Sequence, residues 1–529
     1  MERLAGKIML GSGFGRICIA VLAGAFGALA LPPVGFFAAL FVSFTLLVWL
    51  IDGTTGHPDG GVWSRGWKTF LIGWLFGFGY FVAGLWWLGN ALLLEADEFA
   101  WALPLAILGL PACLAIFYGI ATMLANLLWS DGWGRIAALA AAFGLIEWLR
   151  SFILTGFPWN TVGYGIMPIP MMMQTSYLIG IFGMSMLAVF VFASPALLGT
   201  KKGMLPGLSI AAVMMAFHLG YGAYRLHQPL PPATDDVTVR IVQPRIDQSV
   251  KMLNEDRTEI FNTHLRLSAL PPSPGHKRPD IIVWPETSVP FILTQNPDAL
   301  AEIAKTLEDG QILLTGAVRM EDAGAGIAPR YYNSVYAIDS EGQIIGATDK
   351  VHLVPFGEYV PFEDVLRKIG INNLISLPGG FSPAVTRNPI TLPSGKKLHS
   401  FICYEIIFPG EVPDDITTSA AIVNVTNDGW FGNTPGPYQH FQQARIRAVE
   451  TGIPVIRAAN TGISAIINPM GQIVAGLDYG QMGIIDSTLG GVATGVITAD
   501  MRQMHFWLFF GVLLVIAIIA RLGLLDRKN

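Results

Sequence analysis

The sequence Ile281-Ile282-Val283-Trp284-Pro285-Glu286 is a short run of β-branched residues that stops at a proline and a carboxylate. This pattern predicts a buried strand whose end carries Glu286. Two further runs end in a similar way, at Thr348-Asp349-Lys350 and at Ser400-Phe401-Ile402-Cys403-Tyr404-Glu405. Functional side chains collect where the strands of an open sheet end. A carboxylate, an ammonium and a thiol at such positions supply a base, an electrostatic stabiliser and a nucleophile, which together suffice for covalent catalysis.

The residues around these runs switch between short β-branched stretches and helical patterns, as expected of an α/β or α+β domain. The predicted strands are 237–242, 281–284, 312–318, 334–338, 344–348, 399–403, 421–425, 455–458 and 465–468. The predicted helices are 254–269, 298–307 and 438–451. The turn-like segments 339–343 and 468–472 each join two predicted strands through a glycine. Hairpins beside helices predict a layered sandwich.

The composition indicates a membrane protein. Of the 529 residues, 52% are hydrophobic and only 13% are charged, which argues against a disordered chain and against an ordinary soluble enzyme. The charges are also uneven, because residues 1–234 hold 10 Lys/Arg and 8 Asp/Glu whereas residues 235–500 hold 19 and 29. The second block is therefore acidic, and we expect no nucleic-acid partner for it.

Eight stretches are long and apolar enough to be predicted as bilayer-spanning helices. They cover residues 17–31, 34–51, 69–92, 99–128, 136–149, 172–198, 205–224 and 506–522. Basic residues in every second loop predict their orientation by the positive-inside rule. These residues are Arg3, Lys7, Arg16, Arg65, Lys68, Arg135, Lys201, Lys202, Arg521, Arg527 and Lys528. Both termini are then cytoplasmic, and the polar block lies on the outer, periplasm-like face.

This reading divides the chain into three parts. Residues 1–228 are predicted to hold transmembrane helices 1 to 7, residues 229–503 an outer catalytic domain, and residues 504–529 the eighth helix with a cytoplasmic tail. An alternative interpretation of residues 1–30 is a signal peptide, since a basic flank and an apolar run precede Ala28-Leu29-Ala30. Cleavage there would leave seven spans without moving the polar block.

The cysteines point to one reactive thiol rather than to a disulfide framework. Cys18 and Cys113 lie inside apolar runs, and only Cys403 falls in the polar block. A single thiol there has no partner for a disulfide within its domain, so its reactivity becomes the feature of interest.

Three motifs occur together and in order: Trp284-Pro285-Glu286, the run from Lys350 to Glu358 (KVHLVPFGE), and Cys403-Tyr404-Glu405. This combination resembles the nitrilase, or carbon-nitrogen hydrolase, superfamily over residues 235–500. With eight spans added, nearly the whole chain resembles the apolipoprotein N-acyltransferase family of Gram-negative inner membranes. The motifs Gly156-Phe157-Pro158-Trp159 and 427–432 (NDGWFG) are also similar to motifs of that family.

The resemblance implies an αββα sandwich attached to an eight-helix membrane domain, with a Glu-Lys-Cys triad. Glu286 would be the general base, Lys350 would stabilise the oxyanion, and Cys403 would be the acylated nucleophile. By the same resemblance, Glu358 supports the active site. Tyr404 and Glu405, directly after Cys403, are further candidate supporting residues, and candidate substrate contacts are Met252, Trp430 and Phe431. Met252 departs from the family, because an aromatic residue is expected after Gln248-Ser249-Val250-Lys251.

The function that the resemblance implies is acyl transfer by a ping-pong mechanism at the periplasmic face of the inner membrane. A phospholipid would donate a fatty acyl chain to Cys403. The acceptor would be the α-amino group of the diacylglyceryl-cysteine that begins an apolipoprotein. The sequence contains no nucleotide-binding or metal motif, so we expect neither a cofactor nor a metal.

The same residues are compatible with other functions and with other roles for individual side chains. A membrane-tethered amidase or nitrilase that acts on a small amide would use the same triad. A transporter with an outer sensor domain also fits the number of spans, but it predicts ionisable residues or broken helices near mid-bilayer, and only Glu147, near a helix end, stands out. His352 could pair with Cys403 as in thiol proteases, although a structural hydrogen bond is the simpler reading. The apolar stretch 361–381 could be a lid that dips into lipid or a helix packed on its own domain.

Overall fold

The computed structural model forms two compact units, which we call the helical unit and the sandwich unit. The helical unit comprises residues 1–228, 434–439 and 497–529, and the sandwich unit comprises residues 229–433 and 440–496. The described residues are 1–54, 61–94, 96–230, 237–248, 256–322, 324, 328–363, 368, 380–493 and 497–523. Met252 and most of the stretch 361–381 lie outside the described residues.

The helical unit consists of helices joined by short connections. Its helices are α1 Glu2–Leu10, α2 Gly13–Gly27, α3 Ala39–Asp52, α4 Gly61–Leu85, α5 Gly89–Leu93, α6 Ala96–Phe99, α7 Leu110–Leu127, α8 Gly134–Arg150, α9 Pro170–Met173, α10 Ser176–Ala193, α11 Met204–Leu226 and α15 Ala499–Arg521. In the described part of the chain, six helical segments are long and apolar enough to cross a membrane: Gly13–Ala30, Trp63–Leu93, Ala96–Leu127, Ser176–Gly199, Met204–Leu226 and Ala499–Arg521. The other two predicted spans are the shorter helices α3 and α8, of 14 and 17 residues. The six are confirmed, and the count of eight stays a prediction.

The ionisable residue that stands out in the apolar segments, Glu147 near the end of α8, is fully buried and hydrogen-bonded. Its carboxylate accepts hydrogen bonds from the Tyr118 hydroxyl at 2.7 Å and from the backbone N–H of Val162 at 2.9 Å. Because both donors are buried in the same unit, they offset the cost of removing the carboxylate from water.

The motif Gly156-Phe157-Pro158-Trp159 lies just beyond α8. Arg150 donates hydrogen bonds to the carbonyls of Phe157 and Trp159, so the last side chain of the helix holds the motif. The indoles of Trp159 and Trp87 both donate to the Gln439 side chain oxygen, at 2.9 and 3.2 Å. These polar contacts hold the motif rigidly inside the helical unit.

The sandwich unit is built on two six-stranded sheets, and the strands of one sheet pack on those of the other. The first sheet has the order β12-β1-β2-β3-β4-β5 and the second has the order β11-β10-β9-β8-β7-β6. Strands β1 to β3 run parallel, as do β7 to β9, and the outer pairs are antiparallel. The bounds are β1 Thr238–Gln243, β2 Ile281–Val283, β3 Ile312–Glu321, β4 Arg330–Asp339, β5 Ile344–Asp349, β6 Ile390–Thr391, β7 Lys397–Ile402, β8 Ser419–Thr426, β9 Val455–Ala459, β10 Ser464–Ile467, β11 Ile473–Leu477 and β12 Gly483–Thr488.

Helices accompany the sheets of this unit. They are α12 Arg257–Ser268, α13 Pro297–Thr306 and α14 Pro435–Thr451, the last of which belongs to the sandwich unit from His440 onward. The outer face of the first sheet is covered by α12 and α13, because Phe261 and Ile303 join Ile282, Trp284 and Leu313 in one buried cluster. Apolar burial of this kind is the main stabilising term for such a layered fold.

The two predicted hairpin turns form through the same local chemistry. Asp339 accepts hydrogen bonds from the backbone N–H groups of Glu341 and Gln343, and Asn468 accepts from those of Met470 and Gln472. Asx side chains of this kind close turns by bonding to the backbone that follows them. The nine predicted strands and three predicted helices are confirmed, with ends that differ by a few residues. The strand implied after the turn 468–472 is β11, whereas β6 and β12 were not predicted.

Candidate active site

The three predicted catalytic side chains stand just beyond the ends of β2, β5 and β7. Glu286 follows β2 by three residues, and the intervening Trp284 is fixed by its indole, which donates to the Ser268 hydroxyl at 2.8 Å. The backbone near Glu286 passes so close to β3 that a Cβ on Gly316 would lie 2.6 Å from the Glu286 Cα. Glycine at position 316 is therefore what lets this segment lie against the sheet.

Four polar side chains on the first sheet form what we call the base cluster: Glu286, Asn333, Lys350 and Glu358. The Asn333 amide donates to both carboxylates, at 2.8 Å to Glu286 and 2.9 Å to Glu358. The Lys350 ammonium lies 2.9 Å from Glu358 and 3.8 Å from Glu286. One ammonium thus faces two carboxylates, and the neutral amide of Asn333 bridges the two carboxylates.

The base cluster is removed from water, since all four side chains are buried. Burial alone lowers the pKa of the Lys350 ammonium, but the carboxylates of Glu358 and Glu286 outweigh it and raise that pKa above its ordinary value. Lys350 is therefore a permanent cation near the thiol. A fixed positive charge in a dry site can stabilise negative charge that develops on a reacting oxygen.

Cys403 begins the turn that follows β7, and its backbone is strained. Its φ of 52° lies in the left-handed region, which a residue with a side chain occupies at a cost of about 1–3 kcal/mol. Its carbonyl accepts hydrogen bonds from His440 Nε2 at 3.1 Å and from the Asn424 amide at 3.5 Å. These contacts help to hold the strained peptide in place and so fix the direction of the thiol.

The thiol of Cys403 rests in its neutral form. Burial raises its pKa, the carboxylate of Glu286 raises it further, and Lys350 lowers it without reversing the shift. A neutral thiol is a poor nucleophile, so attack requires a base that removes its proton. Glu286 acts electrostatically on this thiol and is a carboxylate, so it suits that task.

Glu405 connects the segment that carries Lys350 to the segment that carries Cys403. Its carboxylate accepts hydrogen bonds from the backbone N–H groups of Val351, His352 and Ile402, at 2.7, 3.0 and 2.7 Å. Burial would raise the pKa of this carboxyl, but the bidentate Arg387 guanidinium, at 2.6 and 2.9 Å, holds that pKa below its usual range. The geometry therefore makes Glu405 a brace between two strand ends and not a group that exchanges protons.

Tyr404, the residue after Cys403, and His352 belong to one cluster of rings. Tyr404 is buried, and its ring lies 4.9 Å from that of Phe408 and 5.7 Å from that of His352. His352 stacks on Phe408 at 3.9 Å, and its Nδ1 contacts the Glu411 carboxylate. His352 is thus bonded to a carboxylate and not to Cys403, which fits the interpretation of His352 as a structural hydrogen-bonding residue.

Of the three predicted substrate contacts, Trp430 and Phe431 lie in the short helix 428–431 after β8, and both are half-buried. Phe431 packs edge-on against His440 with ring centroids 6.1 Å apart. Met252 falls outside the described residues. No group of three His, Cys, Asp or Glu side chains that could hold a metal is found in the described ranges.

Sequence reasoning missed several residues that the structure brings to the site. Asn333 lies in the middle of a hairpin strand and Arg387 in an irregular segment, where nothing in the local sequence marks them. Asp428 belongs to the motif 427–432, but its partners Arg457 and His440 come from other elements. Only the sheet register shows that these side chains surround the three catalytic candidates.

A carboxylate, an ammonium and a thiol at the strand ends of a two-sheet sandwich define a carbon-nitrogen hydrolase domain. The carbon-nitrogen hydrolase family matches residues 238–497 of this chain, which covers all three side chains. The N-terminal domain of apolipoprotein N-acyltransferase matches residues 23–194, in the helical unit.

Relatives that align over the full length of the chain identify the family within this superfamily. The chain is 70% identical over 529 residues to the apolipoprotein N-acyltransferase of Agrobacterium fabrum, and the alignment covers 100% of both chains. It is 62% identical to the proteins of the same name from Rhizobium rhizogenes and Allorhizobium ampelinum, again over 100% of each chain. The chain belongs to the apolipoprotein N-acyltransferase family, whose members are acyltransferases of the carbon-nitrogen hydrolase superfamily.

Proposed function

We propose that this protein transfers a fatty acyl chain from a phospholipid to an apolipoprotein through a thioester on Cys403. The observation that carries the proposal is the base cluster, whose carboxylate and ammonium act on the buried neutral thiol. The acceptor is the α-amino group of the diacylglyceryl-cysteine at the N-terminus of the apolipoprotein. The full-length relatives with this name support the assignment.

In the first half-reaction, Glu286 takes the thiol proton as the Cys403 sulfur attacks the ester carbonyl of the phospholipid. The negative charge that develops on the carbonyl oxygen is stabilised by the Lys350 ammonium. Glu286 then returns the proton to the departing alkoxide, so that a lysophospholipid leaves and the acyl group remains on sulfur. Glu358 and Asn333 hold Lys350 and Glu286 in place, and Glu405 braces the two segments.

In the second half-reaction, the neutral amine of the apolipoprotein attacks the thioester carbonyl. Glu286 accepts a proton from the amine nitrogen and passes it to the leaving sulfur, which restores the thiol. Exchange of an oxygen ester for a thioester is uphill, because a thioester has less resonance stabilisation, and exchange of the thioester for an amide is strongly downhill and drives the sequence forward. Neither step needs a nucleotide or a metal.

The lipid bilayer is a necessary partner in this scheme. Burial of one methylene is worth about 0.8 kcal/mol, so moving a chain of about sixteen carbons into water would cost about 13 kcal/mol. Both lipid substrates therefore have to react at the membrane surface. A thioester whose chain stays in lipid is also kept from bulk water, which favours the amine over hydrolysis.

The membrane arrangement that we propose has eight spans, with α3 and α8 added to the six long apolar segments. Residues 1–228 carry the first seven spans, residues 229–503 form the catalytic domain, and residues 504–529 carry the eighth. The basic loops favour cytoplasmic termini. The catalytic domain then lies on the periplasmic side of the inner membrane, where apolipoproteins carry their diacylglyceryl group.

The test is peptide mass spectrometry of the detergent-purified full-length protein after incubation with phospholipid. We expect a fatty acyl mass on the peptide that contains Cys403, removable by neutral hydroxylamine and absent from Cys403→Ala. Addition of a diacylglyceryl-cysteine peptide should discharge it and yield an amide. Cys113, which is exposed on the surface of the apolar helical segment Ala96–Leu127, serves as an internal control that should stay unmodified.

Two outcomes would overturn the proposal. If Cys403 stays unmodified while a small amide is hydrolysed, the protein is a membrane-tethered amidase. If folded protein does neither, then Glu286, Lys350 and Cys403 are not a catalytic triad, and a transport function has to be reconsidered.

A further inference from the structure

A hydroxyl that the triad does not include lies against the thiol. Thr426 is the last residue of β8, the strand next to β7 in the second sheet, and its side chain is fully buried. Its Oγ1 lies 3.3 Å from the Cys403 sulfur and 3.1 Å from a carboxylate oxygen of Asp428. Both distances are within hydrogen-bonding reach, since contacts to sulfur are longer than those to oxygen.

The second acceptor, Asp428, is a fixed anion. Burial would raise its pKa, but Arg457 and His440 outweigh burial and lower that pKa to about 2. Arg457 binds one carboxylate oxygen at 2.7 Å, and His440 Nδ1 lies 2.8 Å from the other. A Cβ on Gly462 would lie 2.3 Å from the Asp428 carboxylate, so the backbone closes over it as well. Asp428 can therefore neither move away from Thr426 nor take up a proton at neutral pH.

The Thr426 hydroxyl has one hydrogen and two acceptors. While the thiol is neutral, the Asp428 carboxylate is the stronger acceptor and holds that hydrogen. When the sulfur becomes a thiolate, it becomes a strong acceptor only 3.3 Å away. A rotation of the hydroxyl is enough to change partners, and no heavy atom has to move.

We infer that Thr426 is a further catalytic residue, whose hydroxyl turns from Asp428 to the Cys403 sulfur whenever that sulfur carries negative charge. The inference rests on the proposed role of Cys403 as the nucleophile. In the first half-reaction the hydroxyl stabilises the attacking thiolate, and in the second it stabilises the same sulfur as the leaving group. Once the sulfur is acylated, it is neutral and the hydroxyl returns to Asp428. No proton is gained or lost by Thr426 in this cycle.

The electrostatics around the sulfur agree with this role. The charged groups that act on Cys403 from the surrounding elements are Glu286, Lys350 and Asp428. Burial, Glu286 and Asp428 all raise the pKa of the thiol, whereas Lys350 and the Thr426 hydroxyl lower it. The uncharged hydroxyl of Thr426 thus opposes the effects of burial, Glu286 and Asp428 on the Cys403 sulfur.

The experiment compares Thr426→Val, which removes the hydroxyl at nearly constant shape, with Thr426→Ser, which keeps it. The first readout is the pH dependence of Cys403 alkylation by iodoacetamide in the full-length protein, followed on the Cys403 peptide by mass spectrometry. The second is the rate of Cys403 acylation from phospholipid. A lost hydrogen bond to a charged sulfur should raise the alkylation midpoint by about one pH unit and slow acylation about tenfold or more in the Val variant. The Ser variant should stay close to wild type in both.

A Val variant with the alkylation midpoint and acylation rate of wild type would overturn the inference. If Thr426→Val does not fold, Thr426→Ala takes its place, with circular dichroism as the check of folding; identical profiles for Ala and Ser would then overturn it equally. A wild-type protein in which phospholipid never acylates Cys403 defeats the proposed function instead. In that case the alkylation profiles still decide whether Thr426 stabilises the thiolate.

Discussion

The base cluster and the polar side chains behind Cys403 balance their charges differently. In the base cluster, two carboxylates share the single ammonium of Lys350, which leaves one excess negative charge in a buried site. Behind Cys403, the Asp428 carboxylate is matched by the Arg457 guanidinium and further held by His440, and we call these three the anchor cluster. Burial alone would raise the pKa of Asp428, but Arg457 and His440 outweigh it, so this carboxylate stays ionised. In the proposed mechanism, Glu286 of the base cluster moves the protons, and the anchor cluster supports the segment that carries the attacking thiol.

The largest effect should come from the base cluster. Glu286→Gln keeps the hydrogen-bonding shape but removes the base, and general-base catalysis is worth about 10²–10⁴ in rate. We expect acylation of Cys403 to fall by about a thousandfold while the protein stays folded. The measurement is the rate of lysophospholipid release. Glu341→Gln, an exposed carboxylate on a hairpin of the same sheet, is the matched control and should retain full activity.

The anchor cluster should respond in stability and not in proton transfer. Arg457→Met leaves the buried Asp428 without its guanidinium, and breaking such a buried pair costs about 3 kcal/mol or more. Denaturant unfolding, followed by the accessibility of the buried Cys403 thiol at neutral pH, measures the loss. The control is Arg278→Met, which breaks an exposed pair with Glu308 and should cost less than about 1 kcal/mol. Equal losses in the two variants would show that the anchor cluster has no special role.

The smallest effect that we predict is a pH dependence of stability. The pKa of Asp428 is about 2 in the folded protein against an ordinary value of 3.8. A carboxyl whose pKa falls on folding stabilises the fold above its unfolded pKa, and that contribution disappears as the pH falls through the folded pKa. We expect Asp428 to contribute about 2 kcal/mol above pH 4, lost on acidification toward pH 2. The lowered pKa values of Glu405 and Asp486 add to it in the same direction.

Guanidinium unfolding followed by circular dichroism between pH 5 and pH 2 measures this dependence. The Arg457→Met variant should show a shallower loss of stability over the same range, because the pKa of Asp428 then lies nearer its ordinary value. If the free energy of unfolding of this variant falls with pH as steeply as that of wild type, other carboxyls dominate the acid sensitivity. The anchor cluster then contributes little to it.

The parts of the fold that the sequence predicted are those with short-range causes. The hairpins at Asp339 and Asn468 form because each side chain bonds to backbone at most four residues away. The strands that end before Glu286 and Cys403 are buried runs, and β5, which ends before Lys350, alternates between exposed and more buried residues. By contrast, β6 has only two residues and the second half of β12 is polar, so neither leaves a clear apolar pattern. The spans predicted at 34–51 and 136–149 correspond to helices α3 and α8, whose 14 and 17 residues are too few to identify a span by length alone.

The residues of the candidate site also separate into those that a local motif predicts and those that only long-range contacts bring together. The sequence by itself determined the chemical types at the strand ends, because each stands beside a motif of a few residues. Only the tertiary structure decided that Asn333 joins Glu286 to Glu358, that Arg387 pairs with Glu405, and that Thr426 contacts the thiol. Asn333 lies 47 residues from Glu286, and Thr426 lies 23 residues from Cys403. Contacts over such separations are set by strand order and register, which no local pattern of residues encodes.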